Sequence, residues 1–318
     1  MTALRVAVGV LRRADGRVLV AERDPHRHQG GGFEFPGGKC EADEFGQQAL
    51  QRELVEEIGI AAVAAQPLIR VRHGYADRAV ELETFLVDDW QGEPTGLEGQ
   101  PLQWQIPAEL DARSLPAANR PILAALRWPA TYLITPDTDA VAAPGDVLDR
   151  VADYLSAGEG GWVQLRRSDA GAAPWWRLVH DLAACCRQAN ARLLINTVPE
   201  RAAQLPPGAG LHLNAATVAR VQQRPVPADT PLSCAAHNRE ELQSAHAATA
   251  DLALLGPVQP TPSHPNRPAL GWPTFTDLAG ATPLPLYALG GVGPEDLPTA
   301  RNAGAVGVAG IRAFRRRA

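Results

Sequence analysis

The sequence predicts an α/β protein of two domains, in which an α/β/α sandwich is followed by a (β/α)8 barrel. The chain of 318 residues is long enough for two cores, and 45% of its residues are hydrophobic. Near the N-terminus, one amphipathic helix with an acidic face is expected among several strands. From Thr131 onward, short apolar strands alternate with Ala-rich segments of helical length, which is typical of parallel α/β folds.

The first domain is predicted to contain three strands and a closing helix. The strands are expected at residues 6–11, 18–21 and 80–87. Asp15-Gly16 is a hairpin-turn signal between the first two strands. A helix from about residue 121 to residue 126 ends the domain, and Trp128-Pro129 begins a linker. These signals predict domains at residues 1–128 and 131–318.

A helix over residues 47–58 carries the most informative spacing in the chain. Glu53, Glu56 and Glu57 stand at positions i, i+3 and i+4, so they project from one face of that helix. A neighbouring apolar stripe is formed by Leu50, Leu54 and Ile58. Crowded carboxylates repel each other unless a cation lies among them, and hard oxygen ligands suit Mg²⁺ or Mn²⁺. The spacing therefore predicts a metal-assisted site that holds a diphosphate.

Glycines flank this helix on both sides. Gly59 is expected to stop it, and the glycines of Pro36-Gly37-Gly38 let the backbone of a loop approach a metal and phosphates closely. The alternative interpretation is a solvated acidic helix face with Arg52 as a surface partner. The segment matches every fixed position of the Nudix box, which argues against that alternative; the matching residues are Gly38, Glu44, Arg52, Glu53, Leu54, Glu56, Glu57, Gly59 and Ile60.

Beyond the box, the first domain resembles the MutT-type Nudix hydrolases. The segments that carry the resemblance are VAVGVL at 6–11, FEFPGGKCE at 33–41, GEPTGLEGQP at 92–101 and LPAANRPIL at 115–123. The resemblance implies a nucleoside triphosphate pyrophosphohydrolase that depends on Mg²⁺, with Mn²⁺ as an alternative. Its expected reaction converts 8-oxo-dGTP to 8-oxo-dGMP and pyrophosphate, with water attacking the β-phosphorus. Such an enzyme serves DNA replication and repair by cleaning the nucleotide pool.

The resemblance also assigns expected roles to individual residues. Expected metal ligands are the Gly37 carbonyl, Glu53, Glu56, Glu57 and Glu98. Glu44 and Arg52 complete the catalytic set by holding the loop and helix in place. The spacing leaves open which carboxylate deprotonates the attacking water.

A nucleotide pocket follows from the same resemblance. Asn119 matches the base-reading asparagine, whose amide both donates and accepts hydrogen bonds. Phe35 and Tyr75 fall where apolar or aromatic residues wall the base, and Arg23 and Arg78 fall at positions that contact the nucleotide. An asparagine in a loop is also a common turn residue, and this alternative stays open.

The second domain contains eight predicted strands. They are TYLIT (131–135), GWVQLR (161–166), RLLIN (192–196), GLHL (210–213), PLSCAAH (231–237), LALLGPV (252–258), LYALGGV (286–292) and GVAGI (307–311). Eight strand-helix units in this length predict a TIM barrel, whose sites lie where the strands end. The strands and the segment GPVQPTPSHP (256–265) resemble thiamine phosphate synthase and its relative, the thiazole tautomerase TenI.

That resemblance implies a site for a phosphorylated thiamine precursor at the barrel mouth. The expected lining residues are Gln164, Arg166, Asn196, His212, His237 and the phosphate-cup glycines Gly290, Gly291 and Gly310. His237 is either a proton-transfer group or a residue that caps the following helix or packs at the rim. Thr197 and Thr217 stand where the synthases have magnesium-binding aspartates, and the family's lysines are replaced near Arg167-Ser168 and at His264. These departures predict a barrel without synthase activity.

Alternatives remain for each half of the chain. The barrel is either an enzyme or sensor for a phosphorylated thiazole or pyrimidine, or a degenerate scaffold that stabilises the first domain. The first domain has a thiamine-pathway diphosphate as its alternative substrate. A further alternative is a nucleotide-responsive binding module without catalysis, which the intact box disfavours.

Composition restricts the expected partners. A net charge of −5 and a pI near 5.9 argue against direct binding to the nucleic-acid backbone. The cysteines lack metal-ligand spacing and are expected to be reduced thiols; they are Cys40, Cys185, Cys186 and Cys234. Charges follow the first apolar run too soon for a signal peptide, and nothing in the sequence is expected to span a membrane. A cytoplasmic location is therefore expected.

Overall fold

The structure is a computed structural model that describes residues 3–24, 31–76, 78–136, 144–156, 161–166, 173–261 and 268–311. The chain passes from one compact unit to a second between Arg127 and Trp128. Each unit has its own sheet system and its own hydrophobic core.

The described residues of the first unit form two sheets and two α-helices. Its strands are β1 (Leu4–Leu11), β2 (Val18–Glu22), β3 (Phe33–Glu34), β4 (Gly37–Lys39), β5 (Ala61–Gly74), β6 (Ala79–Gln91) and β7 (Leu102–Gln105), and its helices are α1 (Gly46–Ile58) and α2 (Arg120–Arg127). One sheet has the order β4-β1-β6-β5 and the other has the order β3-β2-β7. Among the described strands of this unit, only β1 and β6 pair in parallel. The strands predicted in this domain lie within β1, β2 and β6.

The predicted hairpin between β1 and β2 is only partly formed. The turn is present, because Gly16 has a φ of 82° and the Arg13 N–H donates to the Arg17 carbonyl at 2.9 Å. Beyond a single bridge between Arg12 and Val18, however, the two strands enter different sheets. A turn signal specifies the local backbone, whereas the pairing of a strand is decided by its tertiary neighbours.

Helix α1 is held on the sheet by its apolar stripe. Leu50, Leu54 and Ile58 are fully buried. Gly9 on β1 leaves room for two of them, since a Cβ there would lie 3.1 Å from both Leu50 and Leu54. Gly59 ends the helix in the left-handed conformation with a φ of 71°, as the sequence predicts, and its N–H reaches the last helical carbonyls. This packing fixes the helix face that carries the glutamates.

The second unit is a closed barrel of eight parallel strands, which confirms the predicted fold. The strands are β8 (Thr131–Ile134), β9 (Trp162–Leu165), β10 (Arg192–Asn196), β11 (Gly210–Leu213), β12 (Leu232–Ala236), β13 (Leu252–Leu255), β14 (Leu286–Leu289) and β15 (Gly307–Gly310). The helices between them are α3 (Pro144–Ser156), α4 (Ala173–Gln188), α5 (Ala215–Val218), α6 (Arg239–Ala247), α7 (Gly271–Ala279) and α8 (Leu297–Asn302). Between β10 and β11 the connection holds a 3₁₀ helix, Pro199–Gln204, in place of an α-helix.

Two buried tyrosines of the barrel donate hydrogen bonds to neighbouring groups. Tyr132 is fully buried and donates to Gln164 Oε1 at 3.0 Å. Tyr287 donates to the carbonyl of Pro129 at 2.7 Å. Trp128 packs edge-on against Trp162, with ring centroids 5.8 Å apart. The segment predicted as the start of a linker is therefore part of the barrel packing, because the Trp128 ring contacts Trp162 and the Pro129 carbonyl accepts from Tyr287.

Among the helices of the described residues, none combines the length and the apolar character that crossing a bilayer requires.

We expect Leu54→Ala to lower the free energy of unfolding of the first domain by about 2–5 kcal/mol, because a buried leucine is replaced by a cavity. Leu54 is 0% exposed, whereas its neighbour Val55 on the same helix is 51% exposed. Val55→Ala is thus the matched control and should change the free energy of unfolding by less than about 1 kcal/mol. Urea denaturation of both variants measures the difference, and equal losses would contradict the packing described for α1.

Candidate functional site

A guanidinium joins the glycine loop to the acidic face of α1. Arg52 forms a two-point contact with Glu44, from Nε to Oε1 at 3.0 Å and from Nη2 to Oε2 at 2.9 Å. It also donates to Glu53 at 2.9 Å, to Glu56 at 3.1 Å and to the carbonyl of Lys39 at 3.0 Å. The hydrogen bonds to Glu44, then those to Glu53, raise the pKa of Arg52, and Arg52 in turn lowers the pKa of Glu44. Arg52 thereby fixes the loop against the helix.

Glycine is required at the point where the loop meets Glu53. A Cβ on Gly38 would lie 2.1 Å from Glu53 Oε2, so the carboxylate occupies the space of a side chain. Gly37 has a φ of 143°, and a Cβ there would lie 2.1 Å from the carbonyl oxygen of Ala7. The loop backbone is therefore pressed between β1 and α1, with the Glu53 carboxylate directly against it.

Glu57 lies in a second, more buried acidic cluster beside the same loop. The N–H of Gly37 donates to Glu57 Oε2 at 2.7 Å, and the Gln100 amide donates to Glu57 Oε1 at 3.4 Å as well as to the Glu57 carbonyl at 3.2 Å. Burial, opposed by these hydrogen bonds but reinforced by the charges of Glu34 and Glu98, raises the pKa of Glu57 to about 7. Glu34, Glu57 and Glu98 thus share one electrostatic environment.

Sequence reasoning missed Glu34 and Gln100. Glu34 precedes Phe35 on the strand that leads into the glycine loop, and Gln100 follows Glu98 by two positions. Each lies next to a residue that was predicted for the site, and this adjacency was the available signal. The hydrogen bonds of Gln100 to Glu57 and the effect of the Glu34 charge on Glu57 depend on the tertiary fold.

The predicted convergence of Glu53, Glu56 and Glu57 is only partly found. The three share one helix face, but Glu53 and Glu56 turn toward Arg52 while Glu57 turns toward Gly37. Within the described ranges, no three His, Cys, Asp or Glu side chains converge closely enough to form a metal site by themselves. Mutual repulsion accounts for this arrangement, since the guanidinium and the amide N–H are the nearest partners for the carboxylates. The donors are nevertheless all oxygen atoms, which is the set that Mg²⁺ requires.

The structure brings Tyr75 and Asn119 together. The Ala118 N–H donates to the Tyr75 hydroxyl at 3.3 Å, and Asn119 is the next residue. Asn119 is 8% exposed at the end of the 3₁₀ turn Ala117–Asn119, and its backbone N–H donates to the Pro116 carbonyl at 2.8 Å. Its side-chain amide forms no hydrogen bond within the described part of the chain. The turn therefore uses the backbone of Asn119 and not its amide.

The other predicted nucleotide residues lie in different surroundings. Phe35 is buried directly before the glycine loop. Arg23 forms an ion pair with Glu34, which connects it to the acidic cluster. Arg78 is exposed, and its carbonyl accepts a hydrogen bond from the Tyr75 N–H at 2.7 Å.

A cavity of about 690 Å³ opens at the carboxyl ends of the barrel strands. All the residues predicted for the barrel site line it, namely Gln164, Arg166, Asn196, His212, His237, Gly290, Gly291 and Gly310. Asn214 and Glu295 also line it and were missed. Asn214 was detectable as the N-cap of α5, and Glu295 as an acid just past the glycine pair.

The two cavity histidines have different environments. His212 is buried, and burial lowers its pKa to about 3, so its ring is neutral and Nδ1 is within 2.7 Å of Ser233 Oγ. His237 Nδ1 lies 2.7 Å from Glu241 Oε2. The interpretation of His237 as a helix cap is wrong, because Asn238 caps α6 by accepting from the Glu241 N–H at 2.9 Å.

The predicted phosphate cup is a turn of left-handed glycines. Gly290 has a φ of 92° and Gly291 a φ of 70°, and a Cβ at either would lie within 3 Å of the segment from Pro257 to Pro260. Thr197, which replaces a family aspartate, has a buried Oγ1 without a hydrogen-bond partner among the described residues. The N–H of Thr217 donates to Asn214. Arg167, Ser168 and His264 lie outside the described residues.

Both domains match known protein families. The family model described as NUDIX domain matches residues 7–125, and the model described as thiamine monophosphate synthase matches residues 131–314. The chain belongs to the Nudix family in its first domain and to the thiamine monophosphate synthase family in its second. It is a Nudix hydrolase, an enzyme that acts on phosphoanhydride bonds.

Individual relatives resemble each domain. The 8-oxo-dGTP diphosphatase of Escherichia coli (strain K12) is 38% identical over 127 residues, which are 40% of this chain and 98% of the relative. A CTP pyrophosphohydrolase of the same organism is 36% identical over 39% of this chain and 92% of its own length. The thiamine-phosphate synthase of Synechocystis sp. is 31% identical over 48% of this chain and 44% of its own length.

We expect Glu57→Gln to stabilise the protein at pH 8 when a chelator is present. The folded-state pKa of Glu57 is raised from 4.5 to about 7, so this carboxyl favours the fold below pH 4.5. That contribution is lost as the pH rises through 7, at a cost on the order of 3 kcal/mol. Thermal unfolding at pH 5 and pH 8 should therefore show a smaller loss of stability in the variant than in the unmodified protein. The control is Glu56→Gln, which removes an exposed carboxylate from the same helix, and identical pH dependence in all three proteins would contradict the burial of Glu57.

Proposed function

We propose that the first domain hydrolyses 8-oxo-dGTP to 8-oxo-dGMP and pyrophosphate. The observation that carries this proposal is the placement of Glu53 and Glu57 against the backbone of Gly38 and Gly37. Hard oxygen donors beside a loop backbone that carries no side chains are what a metal-bound diphosphate needs. The 38% identity to an 8-oxo-dGTP diphosphatase over nearly the whole of that protein supports this substrate.

A divalent cation fits the donor set of this site. In the proposal Mg²⁺, with Mn²⁺ as an alternative, would be held by the Gly37 carbonyl, Glu53, Glu56, Glu57 and Glu98. A bound Mg²⁺ neutralises charge on phosphate oxygens and makes a coordinated water more acidic. Glu53 and Glu56 each use one carboxylate oxygen to accept from Arg52, which leaves the second oxygen of each as the donor to a cation.

The remaining roles belong to the protein side chains. Arg52 and Glu44 hold the glycine loop in a fixed position relative to α1, so that Glu53 stays against Gly38. Water attacks the β-phosphorus, the nucleoside monophosphate leaves, and one of Glu53, Glu56 and Glu57 takes the proton. The Asn119 amide reads the base beside Tyr75 and Phe35, while Arg23 and Arg78 contact the nucleotide.

Two other substrates compete with 8-oxo-dGTP. The similarity to a CTP pyrophosphohydrolase favours CTP as the substrate. The match of the second domain to a thiamine monophosphate synthase favours a thiamine-pathway diphosphate as the substrate. We favour the purine because the Asn119 amide is nearly buried without an internal partner, which suits a group that pairs with a base. The protein then protects DNA through the nucleotide pool.

For the second domain we propose binding of a phosphorylated thiamine precursor without condensation. The cavity offers Arg166, two left-handed glycines and several amides to a phosphate ester. Thr197 and Thr217 are poor ligands for magnesium, which weakens retention of a diphosphate. In this proposal His237 transfers a proton, and its hydrogen bond to Glu241 supports that role by orienting the ring. In this proposal residues 1–128 and 131–318 are the functional domains.

Pyrophosphate release tests the first proposal. Purified protein with Mg²⁺ is compared on 8-oxo-dGTP, dGTP, CTP and thiazole- or pyrimidine-linked diphosphates at matched low concentration. We expect the highest kcat/KM for 8-oxo-dGTP, and at least about a hundredfold loss in Glu53→Gln with the fold retained. The control is Glu41→Gln, an exposed position of the same segment. Preference for another substrate, or an active Glu53→Gln variant, would refute the assignment.

Ligand-dependent thermal shift tests the barrel. We expect thiazole phosphate at about ten times its Kd to raise the melting temperature of the second domain by a few degrees, because binding to the folded state alone stabilises it. Arg166→Met should abolish the shift, whereas Arg187→Met, at an exposed position on α4, should preserve it. No thiamine phosphate should form when the pyrimidine diphosphate is added. If thiazole phosphate did not raise the melting temperature of the unmodified protein, the result would favour the interpretation of the barrel as a degenerate scaffold.

A further inference from the structure

Arg120, the first residue of α2, has a buried guanidinium nitrogen without a partner. Its Nε forms no hydrogen bond, and its guanidinium forms no ion pair within the described residues. Other arginines of the same domain donate to carboxylates or backbone carbonyls; they include Arg5, Arg12, Arg52, Arg113 and Arg127. A buried donor that is left unpaired costs free energy, so a ligand is a natural source of its acceptor.

The surroundings of Arg120 suit a planar ligand. Its charge acts on His73, where burial and then this charge lower the pKa of the ring. The His73 ring packs edge-on against Tyr75, with centroids 4.5 Å apart, and Tyr75 accepts from the Ala118 N–H. Asn119 lies between Ala118 and Arg120 with its amide unpaired. Two aromatic rings and two unsatisfied polar groups therefore occur together, and aromatic rings are common stacking surfaces for bases.

We propose that Arg120 contacts the base of the substrate and, with Asn119, selects purines that carry a carbonyl oxygen at C6. This inference rests on the proposed function, which places the base beside Asn119. A guanidinium only donates, so it pairs with the C6 carbonyl of guanine and leaves the C6 amino group of adenine facing another donor.

The base is a better partner for Arg120 than the phosphates are. In the proposed function the phosphates bind beside Gly37, Gly38 and Glu57. The charges that act on Glu57 are those of Glu34 and Glu98, and not that of Arg120. The charge of Arg120 acts instead on His73, beside Tyr75. A site built to hydrogen-bond a substrate group rejects an analogue that cannot provide the matching group, because its buried polar atoms are then left unpaired.

The test compares dITP with dATP, which differ only in the C6 group and the associated N1 proton. For the unmodified protein we expect a higher kcat/KM for dITP. Arg120→Met should lower kcat/KM for dITP by about tenfold or more, mainly through KM, and should leave dATP nearly unchanged. The matched control is Arg113→Met, which removes an exposed arginine shortly before the same turn and should change neither value.

Binding of dIMP and dAMP by calorimetry gives a readout that does not depend on catalysis. If Arg120→Met lowered the affinities for dIMP and dAMP equally, the proposal would be overturned in favour of a phosphate or sugar contact. If the ratio of the dIMP and dAMP affinities stayed unchanged in Arg120→Met while its melting temperature fell, the proposal would be overturned in favour of a structural role. If Arg120→Met does not fold, Arg120→Gln replaces it in the same comparison. A protein that discriminates dIMP from dAMP through Arg120 but does not hydrolyse 8-oxo-dGTP would refute the proposed function alone.

Discussion

The arrangement of the first site depends on one cation, the guanidinium of Arg52. Glutamates on adjacent turns of α1 and in the preceding loop repel each other, and the fold must hold them near a backbone with no side chains. Arg52 meets this constraint with a planar fork that contacts Glu44 at two points and still reaches Glu53, Glu56 and the Lys39 carbonyl. Lysine, with a single charged atom on a flexible chain, offers no comparable set of directions. The position of Glu53 against Gly38 follows from this clamp.

The two domains position their polar groups by different physical means. In the first, a glycine loop is clamped to one helix, and the critical contacts join residues that are close in sequence. In the barrel, the groups come from the ends of separate strands and are oriented by neighbours across the sheet. The Asn196 amide, for example, donates to the Arg166 carbonyl at 2.8 Å, and the Arg166 N–H donates to Thr135 Oγ1 at 3.0 Å. Closure of the sheet therefore determines the shape of the cavity.

Periodicity and glycine placement were sufficient to predict α1, its left-handed stop at Gly59 and the eight barrel strands, because these features are local. The partners of Glu57 were not predictable, since Glu34 and Gln100 reach it only through the tertiary fold. The same reason explains why the predicted hairpin is only partly formed. The residues predicted for the barrel do line one cavity, but the roles assigned to individual residues at both sites stay predictions.

The carboxylate of Glu53 fills the space where position 38 would carry a side chain. Position 38 is consequently closed to redesign, because any larger residue there would displace a charged group from its place. Asn119 and Arg120 carry polar atoms without hydrogen-bond partners among the described residues, so substitutions there displace no internal contact of those atoms. In directed evolution of this protein, a library built on Asn119 and Arg120 would therefore preserve the fold more often than a library built on the glycine loop.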